Sequence, residues 1–284
     1  MEESLGVEWL PKALVWAFGQ LAIGLVVVRG LAASRSRPGI GFERWTTRRA
    51  AWIGVALLVA LLARLWVHTA TALGTGESWA GDLTIIAFES RWGAAWRLQV
   101  YAALAVQVGA LVARLRPSGW ALFAAGACGL SLASPALGHA TESAPRYLLH
   151  LLHNLSAASW LGSLGVLTLL ALGGSPAATT DVDRSRVFAR FSPIALGAAA
   201  LVFASGLVLA NLSLDGWRSL WTTSYGRVLL AKVGLVTPVL ACGWINSRRI
   251  SRGSAPATRM LVSEWAAAIV VLLATGILTE TEHP

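Results

Sequence analysis

Two histidines three residues apart, in the run His150-Leu-Leu-His153, have the spacing in this chain that best suits chemistry. On a helix such positions share a face, so two imidazoles can be presented to one ion. Imidazole suits copper, zinc, nickel or iron, and the ligand type alone does not choose among them. His68 and His139 are the candidates to complete the set from other segments. A thioether route for a soft metal is disfavoured, because Met260 is the one methionine beyond Met1. Cys128 and Cys242 lie far apart in apolar runs and form no CxxC, so they read first as small core residues and second as less favoured ligands. Arg64, Asn154 and Lys232 also fall in apolar runs, where amide or ionisable groups usually face a bundle interior or a water-filled path. For Arg64 and Lys232 the competing reading is snorkelling along a long apolar stem to the nearby interface.

Transmembrane helices must position these residues. The 284-residue chain is 56% hydrophobic and 13% charged, with a mean hydropathy of +0.63. Crossing a hydrocarbon core takes about 20 helical residues. Eight segments approach that length: Trp9 to Leu31, Ala51 to Thr71, Trp96 to Leu115, Trp120 to Leu137, Tyr147 to Leu172, Pro193 to Leu212, Val228 to Ile245 and Leu261 to Leu278. The expected fold is therefore an all-α polytopic bundle of about eight helices.

Arginines crowd alternate connections, among them Arg35, Arg37, Arg44, Arg48 and Arg49 in the first and Arg248, Arg249, Arg252 and Arg259 in the seventh. By the positive-inside rule these loops are cytoplasmic, both termini face out, and all five histidines fall on the outer side. The net charge of +9 is thus a signature of topology, and no single basic patch points to a nucleic-acid partner. Glu2 and Glu3 ahead of the first apolar run do not suit a cleavable signal peptide, so the first helix reads as retained. No P-loop, dinucleotide fingerprint, HExxH or GxSxG is present, so ATP-driven pumping by this chain is not expected.

Residues 72–95, the longest outer connection, mix Trp79, Ile85, Ile86, Phe88 and Trp92 with polar residues, as an interfacial segment does. Its end, Ser90-Arg91-Trp92-Gly93, is similar to Thr223-Ser224-Tyr225-Gly226 ahead of the seventh helix. The match suggests two parallel four-helix halves, residues 1–140 and 141–284. Trp9, Trp45, Trp79, Trp92, Trp120, Trp160, Trp217 and Trp221 near predicted helix ends suit an aromatic belt. Glu264 is the acidic residue within the apolar runs and lies too far along to pair with Lys232.

Over residues 147–250 the chain resembles the CopD family of copper-resistance inner-membrane proteins. The resemblance is carried by His153 to Gly162 (HNLSAASWLG), Arg190-Phe191-Ser192, Thr223-Ser224-Tyr225-Gly226-Arg227 with Leu229, Leu230 and Lys232, and Asn246 with Arg248. The first half fits more loosely, through Trp92-Gly93 and Trp96-Arg97. The resemblance implies a multi-pass protein of the bacterial plasma membrane that transports copper ions or delivers them, as Cu(I) or Cu(II), in copper resistance or homeostasis, and it implies no enzyme. It further implies a separate periplasmic copper carrier of the CopC type as partner. On this reading copper is received by His150 and His153 with His68 and His139, and Asn154, Lys232, Arg64 and Tyr225 are candidates for a path or gate. Two alternatives remain open: a b-type cytochrome, with histidines from different helices as axial haem ligands, and a non-transporting factor that inserts copper into a respiratory enzyme.

Overall fold

The computed structural model describes residues 8–33, 39–74, 79–137, 143–173, 184–214, 216–252 and 258–278. These residues form helices α1 (Trp9–Ala33), α2 (Ile40–Leu73), α3 (Trp79–Glu89), α4 (Arg91–Ala113), α5 (Gly119–Ala133), α6 (Ala144–Ala157), α7 (Ser163–Gly173), α8 (Arg184–Ser213), α9 (Ser219–Thr222), α10 (Ser224–Ser251) and α11 (Thr258–Leu278). A π turn, Ala158–Gly162, joins α6 to α7, so the two form one span. Among the described residues there is no strand, and eight spans are long and apolar enough to cross a membrane. The chain is an all-α polytopic bundle.

Several helices outrun the apolar segments that announce them. The 34 residues of α2 reach about 51 Å, well beyond the hydrocarbon core. Its first turns persist into polar surroundings because Glu43 pairs with Arg29 of α1 at 2.9 Å. Thr46 and Thr47 return their hydroxyls to the carbonyls of Phe42 (3.0 Å) and Glu43 (2.8 Å). Proline does not interrupt α8 at Pro193 or α10 at Pro238, which membrane helices tolerate when neighbouring groups satisfy the freed carbonyl.

Helix α1 is the hub, packing on α2, α5, α7, α11 and the π turn. In lipid no hydrophobic force separates helix from solvent, so close approach at small residues does the joining. Gly24 and Gly162 meet backbone to backbone. A Cβ on Gly24 would overlap the Gly162 carbonyl, and one on Gly162 would overlap the carbonyl of Gln20.

Three of the tryptophans expected in an interfacial belt are instead interior. Trp45, Trp120 and Trp160 are 8%, 7% and 5% exposed. Arg49 lies over the Trp45 ring at 5.7 Å and Arg29 over Trp120 at 4.6 Å, so these indoles pack beneath guanidinium groups. Trp79, Trp217 and Trp221 are exposed as a belt requires.

Helix α3 lies between α2 and α4 in the chain and rests on both. Two junctions in the chain have the same construction. The Ser90 hydroxyl caps α4 by accepting from the Gly93 N–H at 2.8 Å, and Thr223 accepts from the Gly226 N–H at 3.0 Å at the start of α10. In each, the glycine abuts the preceding short helix: a Cβ would overlap the carbonyl of Ile86 in one and of Ser219 in the other.

Candidate functional site

His150 and His153 are half-buried on α6, while Leu148 and Leu152 on the other side of that helix are exposed. The His153 Nδ1 lies 3.0 Å from the Ser205 hydroxyl of α8. That hydroxyl donates to the carbonyl of Leu201, and the imidazole also meets the Val202 backbone. The Nδ1 edge thus faces acceptors and carries the proton. The lone pair is left on Nε2, the atom a metal ion would take. Gly206 follows Ser205 and leaves room for the ring: a Cβ there would stand 3.3 Å from His153 Cε1.

Helix α8 packs on both α6 and α10, and His150 and Lys232 of α10 lie near enough to act electrostatically on His153. Lys232 is half-buried. Asn154, next along α6, is half-buried too. Among the described residues no group of three or more His, Cys, Asp or Glu side chains is arranged to hold a metal. The site consists of two imidazoles, a hydroxyl and an ammonium.

The other candidates lie elsewhere. His68, near the end of α2, stacks on Trp92 with ring centroids 4.0 Å apart. Its Nδ1 is 3.5 Å from Glu8 Oε1, and Glu8 also accepts from Thr71. His68 is therefore held within the N-terminal part of the bundle. His139 lies outside the described residues. Tyr225 stands in the first turn of α10. Cys128 is exposed on α5 and Cys242 half-buried on α10.

Arg64 does not snorkel. It is 8% exposed, donates from Nη1 to Gln99 Oε1 at 3.1 Å and lies 5.8 Å from the Trp92 ring. Gln99 in turn donates to the Ser134 hydroxyl at 3.3 Å. This buried chain crosses α2, α4 and the end of α5. Gln99 and Ser205 were not singled out from the sequence, although a glutamine within an apolar run was a readable signal. A second buried pair, Asn246 and Glu264, joins α10 to α11, with Asn246 Nδ2 donating to Glu264 Oε2 at 3.2 Å.

Residues 185–279 match the family described as CopD, copper resistance protein D. The chain is 32% identical over 245 residues to the copper transport protein CutJ of Bacillus subtilis (strain 168), which covers 81% of this chain and 44% of that relative. The chain thus spans less than half the length of the curated relative it matches. No solved structure matches it.

Proposed function

The chain belongs to the CopD family, and on that premise we propose that it carries copper ions across the bacterial plasma membrane, receiving them from the outer side at His150 and His153. The observation that carries this reading is the His153 to Ser205 contact at 3.0 Å, which engages Nδ1 and leaves the Nε2 lone pair for an ion. Copper is the cargo and not a resident cofactor, so the site must bind without trapping. A cation path needs binding favourable enough to enter and weak enough to leave. Lys232 supplies the weakening. Its ammonium acts on the same imidazole and opposes a second positive charge, so it serves as the threshold between the outer site and the deeper path past Asn154.

The arginine-rich connections face the cytoplasm in this reading, with both termini outside. The two halves, residues 1–140 and 141–284, are parallel, each seating a long helix on a short interfacial one. A separate periplasmic carrier of the CopC type presents copper to the outer face. The reading is of a carrier and not an enzyme.

Detergent-purified protein titrated separately with Cu(I) and Cu(II) tests the receiving site. Wild type is expected to bind copper stoichiometrically and the His150→Ala/His153→Ala double variant to lose it. Equal binding by both proteins would overturn the assignment. A haem Soret band present in wild type and lost in the variant would replace it with the cytochrome reading. Copper flux in proteoliposomes then separates transport from delivery to an enzyme.

A further inference from the structure

A carboxylate inside a membrane-spanning helix with no cationic partner must be neutralised by other means, since leaving it charged costs several kcal/mol. Glu264 is in that position. It lies six residues into α11 from Thr258, roughly 9 Å along the axis from the arginine-bearing end, and is 4% exposed. Its Oε2 accepts from Asn246 Nδ2 at 3.2 Å. Its Oε1 faces Gly243, 3.0 Å from where a Cβ would sit. Asn246 is itself 5% exposed, and its Oδ1 has no hydrogen-bond partner among the described residues. Three acceptor oxygens therefore gather around one amide donor, with no ion pair to a cation among the described residues.

Among the described residues no ion pair joins Glu264 to the elements packed on α11; Arg249 of α10, three residues after Asn246, and Arg259 of α11, five residues before Glu264, lie toward the arginine-bearing end. Helix α7 carries no titratable residue. On α1, Arg29 pairs with Glu43 at 2.9 Å and Lys12 lies over Trp16 at 5.5 Å. On α10, Cys242 is the titratable group that bears on the carboxylate. Arg248 stacks on Trp244 at 4.7 Å, and Lys232, fourteen residues before Asn246, is about 21 Å away along the helix. The side chain that meets the Glu264 carboxylate is Asn246.

We propose that Glu264 and Asn246 form a proton-binding site, exchanging one proton with water on the arginine-bearing side of the membrane. The amide serves both states. Deprotonated, Glu264 accepts from Asn246 Nδ2; protonated, its O–H donates to Asn246 Oδ1 once the amide turns over, which satisfies the orphaned oxygen. Such a site gives the bundle an ion to couple to movement of a second cation, and it does not depend on the outer histidines.

Infrared difference spectra of the purified protein, recorded between acid and neutral conditions in H2O and D2O, test this directly. The expected result is a protonated-carboxyl C=O band that shifts in D2O, disappears in Glu264→Gln, and moves in frequency in Asn246→Ala. A spectrum unchanged by Glu264→Gln, or a band at the same frequency in Asn246→Ala, would overturn the proposal. Glu264→Asp, which keeps a carboxyl but displaces it, should move the band, and an unmoved band would count against the site. Copper titration of the wild-type protein separates the two readings. Wild type that binds copper but shows no carboxyl band removes the proton site alone, and wild type that shows the band without binding copper removes the outer site alone.

Discussion

Gln99 and Lys232 each stand six residues after the glycine that seats a long helix against a short one, Gly93 in α4 and Gly226 in α10. In the first region the position is sealed: Gln99 is fully buried, takes a hydrogen bond from Arg64 and passes one to Ser134. In the second it is less enclosed: Lys232 is half-buried and acts on His153, whose Nδ1 meets the Ser205 hydroxyl. The helices differ in the same sense. Of the apolar stretch of α4, 44% is buried inside the protein; of that of α10, 6%. The same local framework thus has a closed version, whose polar groups satisfy one another, and a more exposed version, where we propose that an ion is received. Fully paired polar groups rigidify a bundle, whereas an incompletely paired set is where a membrane protein spends its stability on function.

The largest expected effect probes the shared framework. Gly93→Leu and Gly226→Leu should each force backbone apart at its junction and cost about 3 kcal/mol or more, read as early thermal unfolding by size exclusion in detergent. Tolerance at Gly226 with collapse at Gly93 would break the comparison. Next, Arg64→Met leaves the Gln99 carbonyl buried without its donor and should cost about 2 kcal/mol. Adding Gln99→Leu should recover much of that loss, and copper binding should stay unchanged in both variants. An Arg64→Met protein with weakened copper binding would mean that the closed region belongs to the path. The smallest effect is Lys232→Met. Removing an ammonium from beside a bound cation should tighten copper by about 1 kcal/mol, roughly fivefold, with little change in thermal stability. Weaker binding would show that Lys232 assists the ion.

The bundle was legible in the sequence because eight apolar runs near the length of a bilayer leave few other solutions. The helix ends were less so. Hydropathy stops at Ala51, yet Arg29, Glu43 and two threonines carry α2 back to Ile40. Side-chain partners between helices were the least legible, because periodicity places a residue on a face without saying what meets it. His150 and His153 could be set on one face from their spacing, but the serine that orients His153 lies 52 residues away. Glu264 was visible as an intramembrane acid, and its distance from Lys232 was foreseeable, but not its pairing with Asn246. Trp45 and Trp120 sit at helix ends as belt residues do, yet they pack into the core beside Phe42 and Phe123 with arginines over their rings.

The π turn at Ala158–Gly162 has a mechanical consequence. A π turn accommodates one more residue than an α turn in the same rise, and each residue rotates a helix by about 100°. The span is therefore two helices out of phase, α6 bearing the imidazoles and α7 following the contact of Gly162 with Gly24 of α1. That contact lies at the last residue of the π turn, so the extra residue of the turn sets the direction in which His150 and His153 point relative to α1. Removing one residue ahead of Gly162 would turn the imidazoles by about 100° while the glycine contact stays where it is.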